Sequence, residues 1–321
     1  MTKKDFSAKL ILKDNRVFAD MFNTVLFHED VIQPEYLVEK DSELLNKAFR
    51  NSKHRDILRQ CSLKQYGETL LLLLGIENQA NIDLTMPLRN FIYDALSYEA
   101  QLRDISNDME LRKKNGEKFS REEFLSHFPT DSKIIPMITL AVYWGEGPWS
   151  GPVSIKELMD QEILDKFGVY IADYRMNLVS ISELEDEQLS LFTTELGDLM
   201  KMAKYRNDPK KLSEMAEQGF FNDRSEEFVE SVNVLTGTDF KKNVNERGSV
   251  DMWQGIKDLI TERENVSKDE GRAEGKVEGK TERDEEIVKT MLKKGLNAET
   301  IHNLTDISLS RIKSILASIT L

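Results

Sequence analysis

The sequence predicts an α/β (α+β) protein: a mixed sheet flanked by helices, followed by an all-helical C-terminal region. Three observations predict it. Apolar runs of strand length recur at Ile57–Leu63, Thr69–Glu77, Ile134–Trp144 and Val169–Val179. Segments with helical spacing lie before and between these runs. From Glu183 onward the pattern is almost entirely helical.

Each element has its own warrant. Within residues 6–27, Phe18, Met21, Phe22, Val25 and Leu26 recur at spacings suited to one face of an amphipathic helix. Residues 28–55 are polar and irregular, and Pro34 breaks any helix there. The first two strands are joined by a turn at Gln65-Tyr66-Gly67-Glu68. Met86–Leu102 reads as a helix with Pro87 in its first turn, where the missing N–H costs nothing. Residues 104–132 form a charged insertion or helix extension with a turn at Asn115-Gly116. A Gly/Pro-rich loop, Gly145–Ser154, carries Trp149. Residues 183–265 hold helices broken near Asp208-Pro209, Gly219 and Gly237. Residues 266–286 are a charged segment, linker or helix, interrupted by Gly271, Gly275 and Gly279. The tail, residues 287–321, holds three short helical pieces separated near Gly295 and Ser308. Four parts result: a core over 1–182, then 183–265, 266–286 and 287–321.

Composition bounds the function. The 321 residues allow a sizeable core. No run approaches a membrane span, and the charged N-terminus argues against a secretory signal. Cys61 is the single cysteine, which excludes an intrachain disulfide and a Cys-rich zinc site and suits the cytoplasm. The four histidines show no ligand spacing, and no Gly-rich loop ending in Lys-Ser/Thr supports a nucleotide cofactor. The formal net charge of −13 counts against a surface coated with phosphate-binding groups, while leaving room for a local groove.

The candidate chemistry lies where an apolar strand, Leu70–Leu74, runs through Gly75 and Ile76 into Glu77-Asn78-Gln79. Charge at the end of a core strand is costly unless paired or bound. Period two places Glu77 and Gln79 on one face and Asn78 on the other. Asp56, before the first strand of the hairpin, supplies a second carboxylate. Two carboxylates on adjacent strands suit a Mg²⁺ ion, or Mn²⁺, that serves phosphodiester hydrolysis. Arg89, Tyr93 and Gln101 share a broad face of the following helix, as phosphate contacts or support for the site. The bland alternatives are a solvated strand-end carboxylate at Glu77, an Asp56–Arg55 pair, and an Arg89 ion pair with Asp83 or Asp94.

The chain resembles the Rpn family of recombination-promoting nucleases and putative transposases, within the PD-(D/E)XK nuclease superfamily. The likeness is carried by Gly75-Ile76-Glu77-Asn78-Gln79, Asp83, Met86-Pro87-Leu88-Arg89, Tyr93-Asp94, Tyr98 and Gln101. Phe18-Ala19-Asp20, Asn23, Arg55-Asp56, the segment from Ile138 to Trp149 and the Glu-Gly-Lys-rich tail add to it. It implies a restriction-endonuclease-like core and Mg²⁺-dependent DNA cleavage, with Asp56 and Glu77 as motif carboxylates and metal ligands. Gln79 stands where lysine is usual in the superfamily; it can orient water but brings no charge, and slow turnover follows. Asp20 or Asp14 is the candidate helper on the first helix. DNA is the implied partner, with self-association left open. The competing reading is a nuclease-fold protein acting as an interaction or regulatory module. The tail admits a helix-turn-helix with Leu309–Leu316 as recognition helix, but offers only Arg311 and Lys313 to a groove; a small docking or oligomerisation bundle fits it better.

Overall fold

The computed structural model describes residues 11–40, 43–46, 51–54, 56–65, 68–238 and 252–319. The first part of the helix expected over 6–27 lies outside them. Helix α1, Asn15–Phe22, is opened by Asp14, whose carboxylate accepts the Arg16 N–H at 2.8 Å. It passes into a π-helical turn, Asn23–Phe27, that ends at His28 in the left-handed region. Val17, Phe18, Met21 and Phe22 form its buried face.

The described residues of the polar stretch 28–55 hold more regular structure than its composition suggests. They form β1 (Leu37–Glu39) and a separate hairpin of β2 (Glu43–Asn46) and β3 (Asn51–His54). Then come β4 (Ile57–Gln65) and β5 (Glu68–Gln79), paired antiparallel from Ile57↔Ile76 to Gln65↔Glu68. Residues 66–67 of the expected turn lie outside the described residues. Helix α2, Met86–Lys114, runs well past the expected end at 102 and stops at a turn where Gly116 takes φ 93°. Helix α3, Arg121–Ser126, follows; β6 is Met137–Tyr143. Pro136 sets the start of β6, since proline has no N–H for a ladder.

Strand Val169–Val179 is a correction. Helix α4 (Gln161–Phe167) continues into a 3₁₀ turn at Gly168–Tyr170, and only Asn177–Ser180 forms β7. The neighbouring strand offers pairing to those four residues alone, Leu140↔Asn177 to Tyr143↔Ser180. Without a partner, the apolar Val169 and Tyr170 stand 88% and 85% exposed.

The five-stranded sheet has the order β1-β4-β5-β6-β7, antiparallel through β5 and parallel from β5 to β7. Side chains alternate across it. Leu58, Leu73 and Met137 cluster with Tyr98 of α2, which places α2 on that face. Arg59 lies on the other, donating to Asn15 Oδ1 at 3.2 Å with its guanidinium over the Phe18 ring, which places α1 there. A helix on each side of a mixed sheet is the architecture the strand runs predicted.

The helical region follows as α5 (Asp186–Leu189), α6 (Glu195–Tyr205), α7 (Pro209–Glu217) and α8 (Glu226–Thr236). Breaks fall where the sequence marks them. Pro209 opens α7 behind an Asp208 cap, and Gly219 and Gly237 both take φ 74°. Helix α9, Trp253–Lys293, takes in the whole charged segment 266–286. Ion pairs four apart, Lys268–Glu264 and Lys289–Glu285, favour helix at either end of the glycine-bearing stretch.

The chain forms two compact units, residues 1–256 and 257–321. In the second, α10 (Ala298–Leu304) is capped by Asn297 and α11 is Leu309–Ile319. Val288, Ile301, Ile307, Ile312 and Ile315 make its core, with Ile287, Met291, Leu292 and Leu316 around it. The apolar residues of the tail thus pack largely on one another; Leu304 stays exposed. Among the described residues, no helix is long and apolar enough to cross a membrane.

One local device gives a pH prediction. Glu123 accepts the Thr130 N–H and hydroxyl, each at 2.8 Å, and the Ser120 N–H at 2.7 Å. The Thr130 N–H first, then the Ser120 N–H, hold its carboxyl at about 2. A depressed folded-state value contributes stability above the ordinary carboxylate range, lost as pH falls towards 2. Glu123→Gln is therefore expected to speed Thr130 amide exchange near neutrality. The gap from wild type should close as the buffer is acidified.

Candidate functional site at the end of the central strand

The hairpin register decides what meets what. Ile57 pairs with Ile76, so Asp56, one step beyond, stands opposite Glu77. Asp56 Oδ2 accepts the Asn78 N–H at 2.8 Å. On the other side of β5, Glu77 pairs with Ala141 and Gln79 with Tyr143. Glu77 and Gln79 thus share the face covered by α2, and Asp56 joins them at the strand end. Glu77 is only 1% exposed, whereas Gln79 is partly open. Asn78 faces the other way, where its Oδ1 accepts the Trp144 indole N–H at 3.0 Å.

The helix residues are placed less favourably for a substrate. Arg89 is ion-paired to Asp83 at 2.5 Å and reaches the Tyr93 hydroxyl at 3.4 Å. Burial works against ionisation of Asp83, but hydrogen bonds from Thr85 and Arg89 overcome it and hold the carboxyl below its usual range. Gln101 lies farther down α2 and clamps the backbone of Ile135, donating to its carbonyl at 3.1 Å and accepting its N–H at 2.7 Å. The Tyr98 hydroxyl accepts the Met137 N–H at 3.2 Å. Both set the start of β6.

Asp20 belongs to the other face, on α1. Its buried carboxylate accepts both the N–H and the hydroxyl of Thr193 and of Thr194, at 2.6 to 3.1 Å. Thr194 caps α6, so a negative charge sits at a helix N-terminus, where the dipole favours it.

Two polar groups of α2, Asp94 and Asn90, hold places that the sequence does not foretell. Asp94 accepts the Thr139 hydroxyl and the Tyr174 hydroxyl, each at 2.6 Å, and ties α2 to β6 and to the approach to β7. Asn90 is fully buried, and neither atom of its amide finds a hydrogen-bond partner among the described residues. A buried unsatisfied group costs about 1–3 kcal/mol, so an idle amide there is a burden on the fold. The available signal was the spacing Met86, Asn90, Asp94: polar residues four apart on the stripe that should have faced the sheet.

The metal expectation is corrected. Among the described residues, no group of three or more His, Cys, Asp and Glu side chains is placed to hold a metal ion. Asp56 and Glu77 bring two carboxylates, and one Asp56 oxygen is taken by the Asn78 N–H. Asp94, the carboxylate α2 adds to this face, is held by Thr139 and Tyr174. This donor set does not fit the Mg²⁺ or Mn²⁺ site that Asp56 and Glu77 suggested.

Comparison with family models, with curated proteins and with solved structures gives no match, so the nuclease resemblance rests on the residues quoted for it.

The Asp20 anchor carries its own prediction. Removing a carboxylate that accepts several charge-assisted bonds leaves the Thr193 and Thr194 donors without it. Asp20→Ala is expected to destabilise the first unit by about 2–4 kcal/mol, read as a lower urea midpoint. A loss below about 0.5 kcal/mol would show that water replaces the carboxylate without penalty.

Proposed function

We propose that this chain is a slow DNA phosphodiesterase of the nuclease type, with Asp56, Glu77 and Gln79 as its reaction centre. The observation that carries the reading is the register that sets Asp56 opposite Glu77, with Gln79 on the same face. The position supports it as well, since ligand sites of open α/β sheets lie outside the carboxyl ends of the strands. The resemblance to recombination-promoting nucleases, drawn on the same three residues, adds the substrate class, a cytoplasmic setting and a link to mobile DNA.

In this reading, water adds to phosphorus, one P–O ester bond breaks, and a phosphomonoester and a free hydroxyl result. Glu77 takes the proton of the attacking water, a role for which an enclosed carboxylate is suited. Gln79 orients that water. Gln79 brings no charge to the phosphodiester, and Arg89 is engaged by Asp83 and Tyr93. Slow turnover is the physical consequence.

A second reading has an observation of its own. Glu77 is enclosed, and Asp56 is bonded to the Asn78 N–H. If both carboxylates serve the fold alone, the chain is an interaction or regulatory module built on a nuclease-like sheet.

Nicking of supercoiled plasmid separates the two. The hydrolytic reading expects slow nicking by wild type and a loss of about a hundredfold or more in Asp56→Ala and Glu77→Ala at unchanged thermal stability. Gln79→Lys adds a positive charge where the transition state is negative and is expected to match or exceed wild type, with Gln79→Ala slower. Wild-type nicking by the Glu77→Ala protein would sink the assignment, and no nicking by any variant would favour the module. Arms with and without added divalent cation test the metal correction in the same reaction.

A further inference from the structure

Asn90 is the buried group for which the fold gives no use. It is 0% exposed, and both its oxygen and its nitrogen lack a hydrogen-bond partner among the described residues. An amide there can donate twice and accept twice.

Its place follows from contacts on either side of it. Met86 packs on Ala141, Asp94 bonds to Thr139, the Tyr98 hydroxyl to the Met137 N–H, and Gln101 to Ile135. Residue numbers rise along α2 as they fall along β6, so the two run antiparallel. Asn90 is one turn after Met86 and one turn before Asp94, on the same stripe. It therefore lies over the span between Ala141 and Thr139. Those residues pair with Glu77 and Gly75 of β5. Gly75 brings no side chain to this face, and Glu77 brings its carboxylate.

The surroundings are polar and enclosed: Glu77, Asp94 and Thr139 are all buried. An amide so placed is rarely left idle, and a buried water typically makes about three bonds to its surroundings.

We propose that Asn90 holds a buried water molecule over Gly75, against the carboxyl group of Glu77. Its use as the attacking water rests on the hydrolytic reading above. Asn90 is then a positioning residue, acting on the reaction through the water.

The test is a high-resolution crystal structure of the full chain and of Asn90→Leu and Asn90→Ser, with thermal unfolding and plasmid nicking of all three. Wild type is expected to show an ordered water within hydrogen-bond distance of both Asn90 and Glu77. Leucine has the same branching and no polar atom, and its extra volume takes the place of the water, so Asn90→Leu should lose the water and unfold no earlier than wild type. Its nicking kcat should fall at least about tenfold at nearly constant KM, the pattern of a lost transition-state interaction. Serine keeps a hydroxyl and leaves room for water, so Asn90→Ser should recover part of kcat. The absence of an ordered water at Asn90, or an Asn90 amide turned onto a protein group, overturns the proposal whether or not the protein cuts DNA. So does an Asn90→Leu protein that nicks at the wild-type kcat. A wild type that holds the water but never nicks upholds the water site and overturns the hydrolytic reading alone.

Discussion

The parallel pairing of β5 with β6 is the constraint on which the rest of the first unit depends. An antiparallel partner needs only a turn, as between β4 and β5; a parallel partner needs the chain carried back along the sheet. Helix α2 does this, and its length and position over one face follow from that task. Because α2 crosses there, Asp94 is brought to Thr139, and Gln101 and Tyr98 meet the start of β6, while Glu77 is buried at the end of β5. A polar strand end that would be solvated at an open edge becomes a buried one.

The two faces of the sheet handle polar groups differently. On the α1 face they are tied to partners. Arg59 is buried yet reaches Asn15 and the Lys13 carbonyl, and Asp20 gathers the donors that open α6. Such pairing joins α1 to the sheet and to the helical region in one layer. On the α2 face the Asp94 carboxylate is equally well met, but Asn90 one turn away is not. Full satisfaction beside an idle amide, on one helix and in one layer, is the pattern expected where stability yields to function.

The second unit solves a different problem. Its stretch of chain is short, so its core is five aliphatic residues gathered from the end of α9, from α10 and α11, and from the turn between the last two. The Asn297 cap and Gly295 at φ 83° set the sharp entry to α10. Leu304 is left facing outward. The charged stretch before it stays helical through its glycines, with ion pairs four apart at either end of it, where a count of glycines alone suggests a break.

The sequence by itself determined the elements whose signals are local. Apolar runs marked the β4–β5 hairpin and β6, helical spacing marked α1 and α2, and Pro209, Gly219, Gly237 and Asn297 placed the breaks and caps, because each acts within a few residues of itself. Period two alone put Glu77 and Gln79 on one face. Only the tertiary structure decided matters that depend on distant partners. Val169 is apolar and reads as strand, yet no neighbour extends far enough to pair it, so it lies exposed. Asp56 meets Glu77 because of the hairpin register, and a slip of one residue would turn every side chain of the strand to the opposite face. Asp20 finds its donors in Thr193 and Thr194, far along the chain. Asp56 and Glu77 suggested a metal site by type, but a metal needs a converging donor set. Where Asp94 ends up is settled by the packing of α2 against the sheet, and where the Asn78 N–H ends up by the pairing of β4 with β5; no local pattern encodes either.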